Sequence, residues 1–180
     1  MPASNVTVTA QWEEIVAPEI QDFSTGYWVL VTDANKIADG DKIVMAAADE
    51  NFAMKSYESG NNCKQVAVTK LGDQLLKWTS EIGVFQLIAN GSNYTIQDVN
   101  TEQYLYAAGT GSNNSLKAAN EVPADAEAAK PYIWTISYTD GVATVKATSD
   151  NHNDLQYNKS ADLFSCYAST QGKIALYKHV

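Results

Sequence analysis

Apolar and polar residues alternate with a period of two through most of this chain, and no long stretch keeps a helical period. The stretch YTIQDVNTEQYLYAA, residues 94–108, reads as a strand, a polar turn and a second strand. The same pattern stands around Ile43 (KIVMAAADENFAMKS) and around Val145 (ATVKATSDNHNDLQYNKS). Phe85 and Trp134 are 49 positions apart, and so are Ile96 and Val145. A self-similar period of that length marks an internal repeat.

Laid side by side, the copies predict three lobes of four strands. First strands fall at 42–47, 93–99 and 142–147. Second strands fall at 52–56, 104–108 and 155–158. Third strands fall at 65–69, 115–119 and 163–167, and fourth strands at 84–89, 133–138 and 173–178. Asn90-Gly91 and Asp140-Gly141 punctuate the lobe junctions, as turns requiring positive φ demand. The predicted fold class is all-β: a β-trefoil with three four-stranded lobes and pseudo-threefold symmetry, six strands closing a barrel and six forming hairpins across one end. Closure also removes exposed sheet edges. The lobes span about 42–91, 92–141 and 142–180. YWVLVT, from Tyr27, is a further strand, and short helical turns are expected at 33–35 and within 121–130, the latter ended by Pro131. Residues 5–14 alternate as an isolated N-terminal strand, and 13–23 read as a linker.

Composition narrows the function. The chain has 180 residues, 45% of them hydrophobic, enough for one cored domain of residues 23–180 after a short leading segment at 1–22. The net charge is −9, all 12 basic residues are Lys, and Arg is absent. Nucleic acid needs cations to displace phosphate counterions and is not an expected partner. No apolar run is long enough for a membrane span, so no membrane insertion is expected. Alternation places Cys166 on a core face. It points Cys63 away from the face of Val66 and Val68, so two free thiols are expected rather than a bridge.

Catalytic and metal chemistry find little support. The two histidines are His152, in the loop DNHND, and His179, the penultimate residue, which reads as a frayed or satisfied end group; no Gly-x-Ser-x-Gly elbow accompanies them. Asp150-Asn151-His152-Asn153-Asp154 spaces oxygen ligands two apart, but Leu155 and Ala161 stand where an EF-hand needs Gly and Glu. An Asx-rich turn explains that cluster. The Gly-rich run 108–114 lacks the following Lys-Ser or Lys-Thr of a phosphate loop and reads as a hairpin loop. The expectation is no enzyme, no metal and no cofactor.

Several strings carry a resemblance: Asp39-Gly40-Asp41-Lys42-Ile43-Val44, Tyr104-Leu105-Tyr106-Ala107-Ala108, Trp134-Thr135-Ile136 before Gly141-Val142-Ala143, and Leu163-Phe164-Ser165-Cys166-Tyr167. Residues 23–180 resemble an uncharacterised trefoil-like module near the C-termini of surface and secreted proteins of Bacteroides-type bacteria. Val8-Thr9-Ala10-Gln11-Trp12 resembles the closing strand of a Listeria–Bacteroides (internalin-B-type) surface repeat; the alternative is a plain strand added to the domain's edge. The resemblance implies a secreted or cell-surface location, with any export signal upstream, and a monomeric, non-enzymatic module of a larger chain.

Trefoils of the ricin-type lectin group hold a sugar with an acidic residue after the first strand, an aromatic ring and a nearby amide. Carried over, this implies Asp98, Asn100, Tyr106 and Asn113 in the middle lobe, and Asp150, Asn153 and Tyr157 in the third. The first lobe offers Asp49, Asn51, Tyr57 and Asn61. The Gln-x-Trp string of those lectins is absent from all three lobes: the corresponding places read Phe85-Gln86-Leu87, Trp134-Thr135-Ile136 and Ile174-Ala175-Leu176. Two functions follow as expectations. One is a glycan-binding module, with a host or cell-surface protein as a further possible partner. The other is a structural or adhesion module that spaces or caps a larger protein and takes no small ligand.

Overall fold

A computed structural model describes residues 23–180 apart from Lys77. The expected strand at 5–14 and its linker lie outside the described residues. Fifteen strands are described: β1 (Trp28–Val31), β2 (Lys42–Ala47), β3 (Phe52–Met54), β4 (Cys63–Ala67), β5 (Thr69–Leu71), β6 (Gln74–Leu76), β7 (Phe85–Asn90), β8 (Asn93–Asp98), β9 (Tyr104–Ala107), β10 (Leu116–Ala119), β11 (Ile133–Thr139), β12 (Val142–Ala147), β13 (Asp154–Asn158), β14 (Leu163–Tyr167) and β15 (Ile174–His179). One short helix, α1 (Ala126–Ala129), is capped by the Asp125 carboxylate, which accepts from the Glu127 and Ala128 amides. It runs into a 3-10 turn over Lys130–Tyr132.

Antiparallel pairing closes a ring of six strands, β2–β7–β8–β11–β12–β15 and back to β2. Three hairpins, β3–β4, β9–β10 and β13–β14, hang from β2, β8 and β12. This is a β-trefoil. Asp140 and Gly141 take φ of +51° and +78° in the tight turn joining β11 to β12, the mirror-image geometry that matches strand twist.

The barrel interior follows the alternation. In β12, Ala143, Val145 and Ala147 face inward while Thr144 and Lys146 are exposed. Ile43, Met45, Leu87, Ile96, Trp134 and Leu176 join them in one core. Trp134 is fully buried, and its indole N–H donates to the Leu105 carbonyl at 3.2 Å.

A second apolar layer was not read from the repeat. Residues 70–83, given no element by the lobe pattern, form β6 and most of β5. These two strands pair as a hairpin whose β6 pairs β1, and β1 pairs β15. This appendage covers the outer face of the first lobe. Val44 and Ala46 of β2 are therefore buried against Trp28, Leu75, Ile82 and Val84. Being covered on both faces, β2 reads KIVMAA, without the alternation of β12. Lys70 staples the appendage down: its ammonium donates to the carbonyls of Ala47, Ala48 (3.3 Å) and Glu50 (2.7 Å).

Cys63 lies on the face of β4 opposite Val66, as the alternation predicts. Cys63 packs in the barrel core and Val66 against the second layer. Cys63 and Cys166 are both free and buried, and burial pushes both thiols up from their ordinary range. His179 is not frayed. It ends β15, bonds the Thr25 carbonyl at 2.7 Å and packs its ring 4.8 Å from that of Trp28.

Candidate functional site

Three separate segments meet beside the middle lobe. The first is the end of β9 with the loop that follows it, the second is the helical turn over 126–132, and the third is the loop between β12 and β13. Between them lies a groove of about 480 Å³, bordered by Tyr106, Gly109, Thr110, Tyr132, Ser149, Asp150 and Asn151, among others. Tyr106 and Tyr132 stack with ring centroids 4.6 Å apart and planes 17° from parallel. Burial, and then the neighbouring Tyr106 phenol, push the Tyr132 phenol up. Asp150 and Asn151, which also line the groove, are exposed. The Ser149 hydroxyl is buried and has no hydrogen-bond partner, a donor and acceptor left unspent by the fold.

The charges around the groove are few. Asp150 is the one carboxylate among its lining residues. Lys130 stands next to it in the 3-10 turn and is engaged by Glu127 at 2.6 Å. Lys117 lies across from Tyr106 in the β9–β10 pairing. A groove lined by stacked phenols, a carboxylate and an amide can hold a polyol ring: the ring's C–H face packs on the aromatic surface and its hydroxyls meet the polar groups.

The predicted residues do not gather as the lobe-by-lobe reading implies. Tyr106 and Asp150, assigned to different lobes, line the same groove. Asn113 is exposed at the tip of the adjoining loop, bridged to Thr110. Asn100 is exposed but lies at the β8–β9 turn, where its side-chain amide donates to the Ser56 hydroxyl at 3.2 Å.

Three residues leave the candidate set because the fold uses them. Asp98 is fully buried; its carboxylate accepts from the Ser56 hydroxyl (3.1 Å) and from the backbone N–H groups of Tyr57 (3.2 Å), Asn100 (2.9 Å) and Thr101 (3.4 Å). Asn153 turns inward, donating to the carbonyls of Ala147 (3.1 Å) and Ser149 and so closing its own loop. Tyr157 is 2% exposed and its phenol donates to the Gln65 side-chain oxygen at 2.6 Å.

Register explains the Tyr157 error. Ile96 pairs with Leu87 and Val145 with Ile136, which makes Gln97 and Lys146 equivalent. Tyr104 stands across from Gln97, and Asp154 across from Lys146. Counting on, Tyr106 matches Gln156, and Tyr157 matches the core residue Ala107. A slip of one residue exchanges the faces of a strand. In the first lobe Ala53 stands across from Ala46, so Lys55 takes the Tyr106 place. The aromatic wall belongs to the middle lobe alone.

Of the first-lobe candidates, Tyr57 donates to the Gly60 carbonyl at 2.9 Å, and Asn61 ties the lobes together. The Asn61 side-chain oxygen accepts from Ser115, and its backbone carbonyl accepts from Leu116 and Ser165. Asp49 and Asn51 are exposed in the β2–β3 turn. Tyr132, Ser149 and Asn151 also line the groove and were not among the residues singled out from the sequence as sugar-binding candidates. The signal for Tyr132 was present in the sequence: an aromatic directly after Pro131, in a decoration with no copy in the other lobes. Among the described residues no group of three or more His, Cys, Asp or Glu side chains is placed to hold a metal ion, and no helix is long and apolar enough to cross a membrane.

The sequence matches no protein-family model, and no curated protein matches it. Solved structures do resemble the fold. A structure described as the BEL beta-trefoil matches over 83% of this chain and 100% of its own, at 14% identity and a TM-score of 0.57. A Polyporus squamosus lectin bound to Neu5Aca2-6Galb1-4GlcNAc matches over 80% of this chain and 50% of its own, at 11% identity and a TM-score of 0.54. An endo-β-galactosidase from Clostridium perfringens matches over 78% of this chain at 8% identity and a TM-score of 0.58, and this chain spans only 33% of that enzyme. Similarity at these identities concerns the fold.

Proposed function

We propose that this chain is a non-catalytic glycan-binding module of an exported bacterial surface protein, and that it binds in the groove beside the middle lobe. One observation carries the reading: the stacked Tyr106–Tyr132 pair and the exposed Asp150 and Asn151 line one groove of about 480 Å³. That is the division of labour a saccharide site requires, an apolar platform for the ring face and a few placed polar groups for the hydroxyls. The likeness of the fold to a lectin and to part of a glycosidase supports it. The net charge of −9 and the lack of Arg argue against polyanionic partners.

A glycan array probed with the labelled chain tests the reading. Binding to a defined set of saccharides, weakened at least tenfold by Tyr106→Ala, is the expected result. An array with no binding, repeated on insoluble polysaccharides, would overturn it and leave the structural or adhesion role. A specific observation favours that second reading elsewhere on the molecule. Asp98, Asn61 and Tyr157, which resemblance marked as sugar ligands, instead lock turns and lobes to one another.

A further inference from the structure

We infer that His152 is the positioning residue of this groove: it latches the groove's two walls together, and protonation of its ring tightens the latch. The inference rests on the groove being the ligand site and adds its regulation.

His152 immediately follows Ser149, Asp150 and Asn151, which form one wall. Its backbone sits in the left-handed region, at φ +47°, uncommon for a residue with a Cβ but more accessible to His than to most. Its ring contacts come from the other wall. Its Nε2 lies 2.7 Å from the Gly111 carbonyl oxygen and its Nδ1 lies 2.7 Å from the Asn114 side-chain oxygen. Gly109 and Thr110, which border the groove, sit just ahead of both partners. The approach is close enough to need glycine: a Cβ at Gly109 would lie 2.4 Å from the His152 Cβ and 2.7 Å from the Asn113 carbonyl. One imidazole therefore joins a loop of the middle lobe to a loop of the third, and the groove lies between them.

The protonation logic follows from donor counting. A backbone carbonyl only accepts, so Nε2 carries a proton. Nδ1 then has two options. In a neutral ring it accepts, and Asn114 must turn its amide to present the N–H end. In a protonated ring it donates to the Asn114 oxygen, and both hydrogen bonds are charge-assisted. Residues 108–116 of the facing loop carry no ionisable side chain, and the loop of His152 itself contributes Asp150 and Asp154. Proton uptake and closure are thus linked with one sign: the latch tightens as pH falls through the histidine range and loosens as pH rises through it.

The test needs no ligand at first. The full chain, labelled with nitrogen-15, is titrated from pH 8 to pH 5 by NMR. The backbone amides of Gly109, Gly111 and Asn114 are expected to move with the midpoint of the His152 ring. His152→Gln keeps a donor and an acceptor but no titration, and should flatten those curves. Asn114→Asp keeps the acceptor and adds charge, and should move the midpoint up; it also serves if the glutamine variant folds poorly. Amides that do not titrate, or a midpoint unmoved by Asn114→Asp, would overturn the latch. Any saccharide retained by the array is then measured at pH 5.5 and 7.5, with at least threefold tighter binding expected at pH 5.5. Equal affinities would sink the regulatory role and leave the glycan reading standing. Titrating amides with no saccharide bound would do the reverse.

Discussion

Phe85 and Asp98 stand opposite each other across barrel strands β7 and β8. The same place is taken by Trp134 and Ala147 in the next junction and by Ile174 and Ala47 in the last. All six are buried. The pseudo-threefold axis is therefore kept in the backbone and broken in chemistry: where two lobes bury a methyl group, the middle lobe buries a carboxylate. Burial pushes the Asp98 carboxyl above the usual range, and the hydrogen bonds from Asn100, Ser56, Thr101 and Tyr57 oppose that shift only in part.

Asp98→Ala should therefore destabilise the fold by about 3 kcal/mol, because it strands several buried donors at once. In a domain of this size that lowers Tm by roughly 6–12 °C. The pH dependence has a definite sign. A carboxyl whose folded pKa is raised binds its proton more readily in the native state, so its contribution is greatest below the unfolded value of about 3.9 and is lost as pH rises through the folded value. Asp98→Asn removes that dependence. Chemical denaturation should show a larger stability gap between wild type and Asp98→Asn at pH 4 than at pH 7. A gap that widens towards neutral pH would contradict the assignment.

Tyr132→Ala should weaken saccharide binding as strongly as Tyr106→Ala, since each ring completes the other's stack. The loss of the pair itself should cost about 1 kcal/mol of stability. Tyr157→Phe provides the contrast. It removes the bond to Gln65, costs about 1 kcal/mol and leaves binding unchanged. Calorimetric titration of the three variants separates platform from core.

Lys70→Met keeps the length of the side chain and removes its three carbonyl bonds and its ammonium, which lies 6.0 Å from the Tyr177 ring centre. The expected cost is about 1–3 kcal/mol, since hydrogen bonds from a charged group exceed neutral ones. Hydrogen exchange should quicken first in β5 and β6, with the amides of β8 and β11 little changed. Uniform quickening would mean that the appendage and the barrel unfold as one unit.

Gly83→Ala is a test of space rather than of backbone conformation. A Cβ there would lie 2.7 Å from both the Lys55 carbonyl carbon and the Ser56 nitrogen, and backbone atoms cannot step aside as a side-chain tip can. A cost of about 1–3 kcal/mol is expected. Gly40→Ala is the matched control: nothing lies within 4 Å of its added Cβ, so any loss comes from its φ of +83° alone. Thermal melts of the two variants distinguish crowding from strain.

Much of the fold was legible along the chain. Alternation in a barrel strand is set locally by which face meets the core, so β12 shows it openly in Ala143, Val145 and Ala147. The repeat spacing then made the three lobes visible, because each lobe solves the same packing problem. The second layer was not legible. Nothing in 70–83 says that Leu75 and Ile82 will cover Val44 and Ala46 rather than one another. The candidate site was legible only in part. Tyr106 and Asp150 were singled out in separate lobes, and the fold brings them to one groove. Asp98 and Tyr157 fit the same compositional rule and are consumed by the core.

The sequence by itself determined the strand content, the threefold repeat and the acidic, arginine-free surface, since these depend on residue type and near-neighbour order. The tertiary structure alone decided which polar residues remain free to meet a ligand. The outcome turns on a one-residue register at Tyr157 and on four internal donors converging on Asp98. It turns also on Tyr106, Tyr132 and Asp150 being carried to the same groove from three separate segments. The physical reason is that a hydrogen bond or a ring stack is settled by distances in space, and separation along the chain does not fix those distances.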